Sequence, residues 1–459
     1  MTNSADRSDA LSPLDNRYYS EELARYLSDE AFIRYKLMVE VALVQALFGR
    51  KFCSEAVWQE VEAAAAAITP PEIYAEEEKT RHDVRALVNC LRNRVSPEMK
   101  PYVHLFATSA DIVDTANALR YRDAVRQVLI PELKSVLKVL VDLALSESET
   151  EQIGRTHGQH AIPITFGFAM AGYVSRLGGC LKALLGYSEE LRGKLSGAVG
   201  AYNALFLFFP NPEKVEAEFL SELDLKPAEI STQIVPPEAL ARLLSEVVLA
   251  EGILANIADD FRHLQRTEIG EVGEDFGEDQ VGSSTMPQKR NPVSFEHVKS
   301  LWKTVVPRIL TVFMDQISEH QRDLTNSASS RTYGEIIAYA VVSAKRLARA
   351  LKRLALDYDN IKKNLRLQGD VVSAEPLYII LASLGHPDAH EKVRHLTLQA
   401  TKERRPLMEV AENDPELKPY HARIVADQFR VLKNPELYTG IAAKKARAVA
   451  LRWKTEFDL

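Results

Sequence analysis

Residues 237–265 read PEALARLLSEVVLAEGILANIADDFRHLQ, and this stretch decides the fold class. Leu240, Leu244, Val247, Leu254, Ala258 and Phe261 recur at heptad-like spacing, which gives one long helix a single apolar stripe. A stripe of that length needs other long helices to cover it, so the segment predicts a helical bundle. The same periodicity recurs on both sides. Glu21 to Arg50 carries Leu23, Tyr26, Leu27, Ile33, Leu37, Val41, Val44 and Leu47 at helical intervals. Ser109 to Ser146 is another candidate, with Leu133, Val136, Leu137, Leu140 and Leu143 on one face and Pro131 as a point for a kink. Pro163 to Leu195 is dense in small residues such as Ala169, Gly172, Gly178 and Gly179, which let helices approach closely. Val293 to Glu319 and Ser329 to Asp357 complete the set. Strand alternation is sparse, with Leu205 to Phe209 the best short candidate, and Thr69-Pro70-Pro71 and Val235-Pro236-Pro237 mark loops. The expected class is all-α, in three helical domains: 1–108, a central long-helix bundle 109–359, and 360–459.

Composition narrows the function. The 459 residues suffice for several packed units, and no run of about eighteen apolar residues occurs, so no membrane span is expected. The polar, mixed-charge start, Met1 to Ala10, lacks the apolar run of a secretory signal. Cys53, Cys90 and Cys180 lie far apart and read as reduced thiols of a cytoplasmic protein. A net charge of −7 argues against nucleic-acid binding. The basic clusters at Lys345 to Arg353 and Lys444 to Arg447 sit on helical patterns and read as solvated faces.

The densest chemistry lies at Gly282-Ser283-Ser284-Thr285-Met286-Pro287-Gln288-Lys289-Arg290-Asn291-Pro292. It follows an acidic, glycine-rich run, Ile269 to Val281, too poor in large apolar residues to anchor itself in a core. Asn291-Pro292 reads as a helix start, with Asn as N-cap and Pro in the first turn. Hydroxyls and cations feeding a helix N-terminus suit a closable anion site, against the plainer reading of a solvated connector. A second cluster is Arg155-Thr156-His157-Gly158-Gln159-His160, read beside a helix start near Pro163; its imidazole suits proton transfer near neutral pH. Lys79-Thr80-Arg81-His82-Asp83-Val84 opens a helix that Thr80 or Asp83 would cap. Thr108 and Ser109 begin another, where hydroxyls either bind a carboxylate or phosphate or simply cap. His157 and His160 have no third partner at ligand spacing, so no metal site is expected. Gly277 and Gly282 imitate a phosphate loop, but Ser283 and Ser284 stand where Lys-Ser/Thr is required.

The 282–292 segment and Thr156-His157-Gly158-Gln159 resemble the signatures of the fumarase/aspartase superfamily, which releases fumarate or a related dicarboxylate. Ser12-Pro13-Leu14-Asp15-Asn16-Arg17-Tyr18, His82-Asp83, Thr108-Ser109, Gly197 to Ala204, Ser231-Thr232-Gln233-Ile234 and Gln321 to Arg331 resemble, within it, the adenylosuccinate lyase family; the matches span residues 11 to about 335. The resemblance implies a homotetramer with a twenty-helix core and active sites each shared by three subunits. It implies β-elimination of fumarate from adenylosuccinate and from the succinyl-carboxamide ribotide of purine synthesis, with no cofactor. Ser284 is then the general base and His157 the general acid, with His82 and Lys289 also catalytic. Thr108, Ser109, Lys289 and Asn291 would hold succinyl carboxylates. Arg17, Tyr18, Arg322, Ser327 and Arg331 would hold the nucleotide, largely its phosphate, while Asp83 and Gln233 also contact substrate. His160 stands where a proline is usual, and Gln288 where a histidine is usual. Met-Pro-Gln-Lys is more typical of argininosuccinate lyases, which are the rival reading together with cycloisomerases of the same fold and catalytically silent structural relatives. The Arg17-Tyr18 pair favours the nucleotide enzyme, because a guanidinium offers phosphate a planar fork.

Overall fold

The computed structural model describes residues 12, 14, 17–274, 285, 286 and 288–459. The stretch at 237–265 forms a helix, Glu238–Leu264. Leu243, Leu244, Val247, Leu254, Ile257, Ala258 and Phe261 along it are fully buried, and offsets of three, four and seven residues among them put them on one face. Each such side chain contributes roughly 1.5–3 kcal/mol on burial, the small Ala258 less, so packing rather than propensity holds this helix. The class is all-α. Strand pairing among the described residues is limited to three two-stranded sheets. None of the described helices is long and apolar enough to cross a membrane.

The chain forms two compact units. The first comprises Met1–Leu133, Gly179–Leu254 and Val298–Arg346, and the second Lys134–Gly178, Ala255–His297 and Leu347–Leu459. In the first unit, helices Asp29–Gly49, Glu55–Ala67, Pro70–Thr80 and Asp83–Arg94 close around a core that includes Val44, Val61, Ile73, Leu87 and Leu91. Thr69-Pro70-Pro71, expected as a loop, starts the helix Pro70–Thr80 instead. Proline's fixed φ and missing N–H cost nothing in a first turn. Ser109–Ala124 continues through one π-helical turn, Val125–Leu129, into Ile130–Ser146. There Ile130 N–H donates to Val125 O, so the proline at 131 is absorbed by a widened turn.

Leu205 to Phe209, expected as a strand, is instead the end of a short helix, Asn203–Phe206, and the turn after it. Only Leu205 is buried, and among the described residues no partner strand pairs with the run. The helix expected to run from Val293 to Glu319 is broken into Val293–Val305 and Arg308–Met314. Pro307, which has no N–H to continue the ladder, caps the second.

In the second unit, a β-hairpin joins β1 (Glu151–Thr156) to β2 (Gln159–Thr165), antiparallel, before helix Phe166–Glu189. Pro163 is therefore a strand residue paired with Ile153, and the helix expected from it begins three residues later. Ile153 packs with Leu365 and Val372, tying β1 to helix Tyr358–Arg366. The first unit's β3 (Arg192–Gly193) and β4 (Lys226–Pro227) are a short parallel contact, while β5 (Val272–Glu274) pairs antiparallel with β6 (Leu354–Leu356) in the second. Phe166, Phe261 and Phe295 form a buried file with ring centroids 6.5 and 5.4 Å apart. A Cβ at Gly178 would lie 2.4 Å from the Trp453 ring, so one of the small residues noted in the sequence sets how closely helix Ala442–Phe457 approaches.

Candidate active site

His157 stands at the tip of the β1–β2 hairpin. Thr156 pairs with Gln159, leaving His157 and Gly158 as a two-residue turn with φ of 53° and 74°. Two consecutive left-handed residues make the type I′ geometry that matches strand twist. The cluster at 155–160 is thus a hairpin, not the approach to a helix. The imidazole is solvent-exposed on a non-glycine residue with positive φ, a conformation found disproportionately where function requires it. His160 faces Arg155 across the ladder. Burial, then the Arg155 charge, push its pKa below the ordinary histidine value.

Behind the tip lies a residue to which the sequence reading gave no role. Glu271 is fully buried and its carboxylate takes a forked pair from Arg155, Nη2 to Oε1 at 2.5 Å and Nη1 to Oε2 at 3.3 Å. Gln152 Nε2 donates to Oε2 at 2.6 Å and Asn364 Nδ2 to Oε1 at 2.9 Å. Glu271 O accepts from Asp357 N–H at 3.0 Å. Next to it Val272 is buried in β5, and Glu274 accepts from Ser294 N–H (3.2 Å) and Ser294 Oγ (2.9 Å) in the first turn of helix Val293–Val305. The expectation that the run from Ile269 cannot anchor itself therefore fails for its first residues. One apolar side chain and two carboxylates with internal donors suffice. Only an unpaired acid in the sequence hinted at this, since nothing local matches Glu271 to an arginine so far away in the chain.

Ser284, with Ser283 and the glycines at 277 and 282, lies outside the described residues. Lys289 is exposed, its N–H donating to Met286 O at 3.0 Å, and Asn291 is half-buried. The helix begins at Val293, and Pro292 O accepts from Glu296 N–H at 3.0 Å. The helix therefore starts one residue later than an Asn291 cap implies.

The first unit presents polar groups at helix starts. Thr108 is the N-cap of Ser109–Ala124, and its N–H donates to Asp111 Oδ2 at 2.7 Å. Asp111 is fully buried; its Oδ1 pairs with Lys194 Nζ and accepts from the N–H groups of Ser196 (3.2 Å) and Gly197 (3.3 Å). The preceding loop carries His104 and Phe106 at positive φ. His104 Nδ1 meets buried Glu40 at 2.6 Å. Burial alone would lower this histidine's pKa, but the Glu40 charge and hydrogen bond outweigh it and hold it above the ordinary value.

His82, rather than Thr80 or Asp83, caps the helix Asp83–Arg94, its Nδ1 accepting from Arg85 N–H at 3.3 Å. The imidazole has the right backbone placement at N-cap, while Asp83 is already inside the helix. Asp83 is held by Lys36 Nζ at 3.0 Å. Burial raises its pKa, yet the Lys36 charge and hydrogen bond bring it below the usual carboxylate value.

Gln233 N–H donates to Gln321 O at 3.2 Å, which brings the 231–234 segment against the 321–331 segment expected to hold phosphate. Within the latter, Arg322 Nη1 donates to Asn326 Oδ1 at 3.3 Å, while Ser327 and Arg331 are exposed. Arg17 is exposed, and Tyr18 stands edge-on to Tyr339 with centroids 5.7 Å apart. Among the described residues no group of three histidines, cysteines or acids is disposed to hold a metal ion.

Known proteins resemble the chain over nearly its whole length. A family model described as Lyase matches residues 53–306, and one described as Adenylosuccinate lyase C-terminal matches 318–424. The adenylosuccinate lyase of Archaeoglobus fulgidus is 34% identical over 97% of this chain and 98% of its own length. The N-acetyl-S-(2-succino)cysteine lyase of Enterococcus italicus is 30% identical over 96% of each. A solved fumarate lyase from Mesorhizobium sp. BNC1 shares the fold with a TM-score of 0.82 at 26% identity, covering 94% of this chain and 98% of that one. The C-terminal match, which takes up shortly after the lyase match ends, and the near full-length likeness to an adenylosuccinate lyase agree with the motifs at 12–18 and 321–331: the chain is a lyase and belongs to the adenylosuccinate lyase family.

Proposed function

We propose that this chain catalyses β-elimination of fumarate from adenylosuccinate, giving AMP, and from succinyl-aminoimidazole-carboxamide ribotide on the route to IMP. The observation that carries this reading is His157, an exposed imidazole at a left-handed hairpin tip whose supporting strand is braced by a buried ion pair. Ser284 removes the Cβ proton, and Lys289 and Asn291 hold the carboxylate that takes up the charge of the resulting carbanion. The C–N bond then breaks, and His157 as imidazolium protonates the departing nitrogen. One preorganised donor at such a developing charge is typically worth about 3–4 kcal/mol. His82, whose Nδ1 accepts from a backbone N–H and whose neutral form therefore carries its proton on Nε2, offers a further donor to an anionic substrate. Thr108 and Ser109 take a succinyl carboxylate at their helix start. Arg17, Tyr18, Arg322, Ser327 and Arg331 take the nucleotide, with Asp83 and Gln233 as further contacts. The proton moves between side chains and substrate, so no cofactor enters.

The working form in this reading is a cytoplasmic homotetramer whose central helices make a twenty-helix core and whose active sites draw on three subunits. Exposed apolar residues on helical segments, Leu249, Leu310, Phe313 and Met314 among them, support an assembly that covers them. The three domains, 1–108, 109–359 and 360–459, belong to the same proposal. Buried clusters around Leu87 and around Leu396 support the first and last.

Fumarate release measured on the two purine substrates, argininosuccinate and N-acetyl-S-(2-succino)cysteine tests the substrate class. Turnover confined to the last two would overturn the nucleotide reading. Gln288 and the similarity to the cysteine-adduct lyase are the reasons to include them. His157→Gln and Ser284→Ala should each lower kcat by about two orders of magnitude or more. Near-native turnover in either variant removes that residue from its role.

A further inference from the structure

We propose that Glu271 is a positioning residue for His157, acting through Arg155 and Gln152; this rests on the reading of His157 as the proton donor. The argument begins with how little else fixes the tip. His157 and Gly158 are exposed, and among the described residues nothing lies within 4 Å of a Cβ built at Gly158, so none of them packs against that face of the turn. Its position is inherited from the strands. On β1 the two polar side chains nearest the tip with buried anchors are Gln152 and Arg155, and both end on the carboxylate of Glu271. Arg155 is two residues from His157. Its planar fork fixes angle as well as distance, which a single ammonium contact would not do.

Glu271 is itself immobilised from three other directions. Its N–H donates to Leu264 O at 2.9 Å, at the end of helix Glu238–Leu264. Its carbonyl takes Asp357 N–H, and its Oε1 takes Asn364 Nδ2 from helix Tyr358–Arg366. The carboxylate has no accessible surface, Gln152 and Asn364 are buried, and the Arg155 side chain is 17% exposed. A bond network shielded this way is stiff, because the acceptor is closed to water and only Arg155 among its side-chain donors is partly open to it. The register slip between Ile153 and Arg155 interrupts the ladder, so the last two pairs, Arg155 with His160 and Thr156 with Gln159, are not kept in line with the rest of the hairpin by regular pairing. The Glu271 fork supplies that anchor. Proton transfer depends steeply on donor placement, and a displacement of about 1 Å commonly costs on the order of a hundredfold in rate.

The test is a double-mutant cycle on the full-length protein with adenylosuccinate. Arg155→Lys keeps the charge and removes the fork. It should lower kcat at least tenfold with KM within about twofold, and the limb of the kcat–pH profile that reports the proton donor should move. In a His157→Gln background the same change should have almost no further effect on kcat, because the group it positions is gone. Gln152→Leu, which removes one donor and leaves the ion pair, is the second variant should Arg155→Lys not fold, and should behave alike to a smaller degree. A lower melting temperature with kcat and pH profile unchanged in these variants would overturn the proposal and leave Glu271 a stabilising residue only. Equal losses in the wild-type and His157→Gln backgrounds would also overturn it. Failure of the underlying reading looks different, since His157→Gln alone would then retain turnover.

Discussion

The hairpin tip at His157 and the helix start at Thr108 solve the same problem by opposite means. In the proposed reaction each holds a polar group toward the substrate without letting the backbone beneath it move. At Thr108 the proposed binding position is part of the fold's own bonding, since Asp111, which receives its N–H, also receives buried Lys194 and the Ser196 and Gly197 amides. At His157 the proposed proton donor makes no bond, among the described residues, to the hairpin's support, which lies at Gln152 and Arg155 behind it. On that proposal the first arrangement couples ligand binding to stability. The second separates them, so that the tip can vary while the brace carries the load.

The largest effect expected from this contrast is on stability, at Asp111. Asp111→Ala leaves Lys194, with no accessible surface, without its counter-charge and three backbone amides without their acceptor. Removing one partner of a buried ion pair typically costs about 3–5 kcal/mol. Urea denaturation of the variant should show a loss of that size, with faster amide exchange at 108–111 and 195–197. A loss under about 1 kcal/mol would mean that the Thr108 start does not depend on this carboxylate, and the contrast with the hairpin would collapse.

At the hairpin the expected changes are smaller in stability and larger in function. Asparagine tolerates left-handed φ better than histidine, so His157→Asn should leave unfolding free energy within about 0.5 kcal/mol of wild type. Fumarate release should nonetheless fall by about two orders of magnitude or more. Gly158→Ala puts a Cβ at φ 74° in open space, so only backbone strain is felt, about 1 kcal/mol. If His157→Asn instead destabilises as strongly as Asp111→Ala, the tip is a structural element and the two regions are alike.

The same contrast explains what could be read from the chain. Helix Glu238–Leu264 was legible almost to the residue, because burial every three or four positions is a local, repeated signal. Thr108 was legible as a helix start for a similar reason: capping chemistry lies within a few residues of itself. The hairpin was not, although His157-Gly158 is a type I′ sequence, since Pro163 in β2 disguised a strand as the start of a helix. Glu271 was beyond reach altogether. Its value comes from meeting Arg155, Gln152 and Asn364, which the fold brings from two distant parts of the chain. Local patterns thus recover the residues proposed to face a ligand more readily than those proposed to hold them still.

The subtlest difference should appear at Asp114, one helical turn beyond Asp111 on the Thr108 helix. Its Oδ2 accepts from Val235 N–H at 2.8 Å, two residues past Gln233. Burial is the main influence on this acid and pushes its pKa up to about 6, against the pull of Lys194 and Arg322 and with some repulsion from Asp111. A carboxyl whose folded pKa is raised binds protons more tightly folded than unfolded. Its contribution to stability is therefore complete below its ordinary value of 3.8 and is lost as pH climbs to about 6, above which the ionised form weighs against the fold. Asp114→Asn keeps an oxygen for Val235 and cannot ionise. Its melting temperature should match wild type near pH 4, rise above it between pH 4 and 6, and stay above it at pH 7.5. A gap that does not change across this range would show that Asp114 does not ionise at a cost. The Thr108 helix would then owe nothing to the pH at which it works, and its coupling of ligand binding to stability would rest on Asp111 alone.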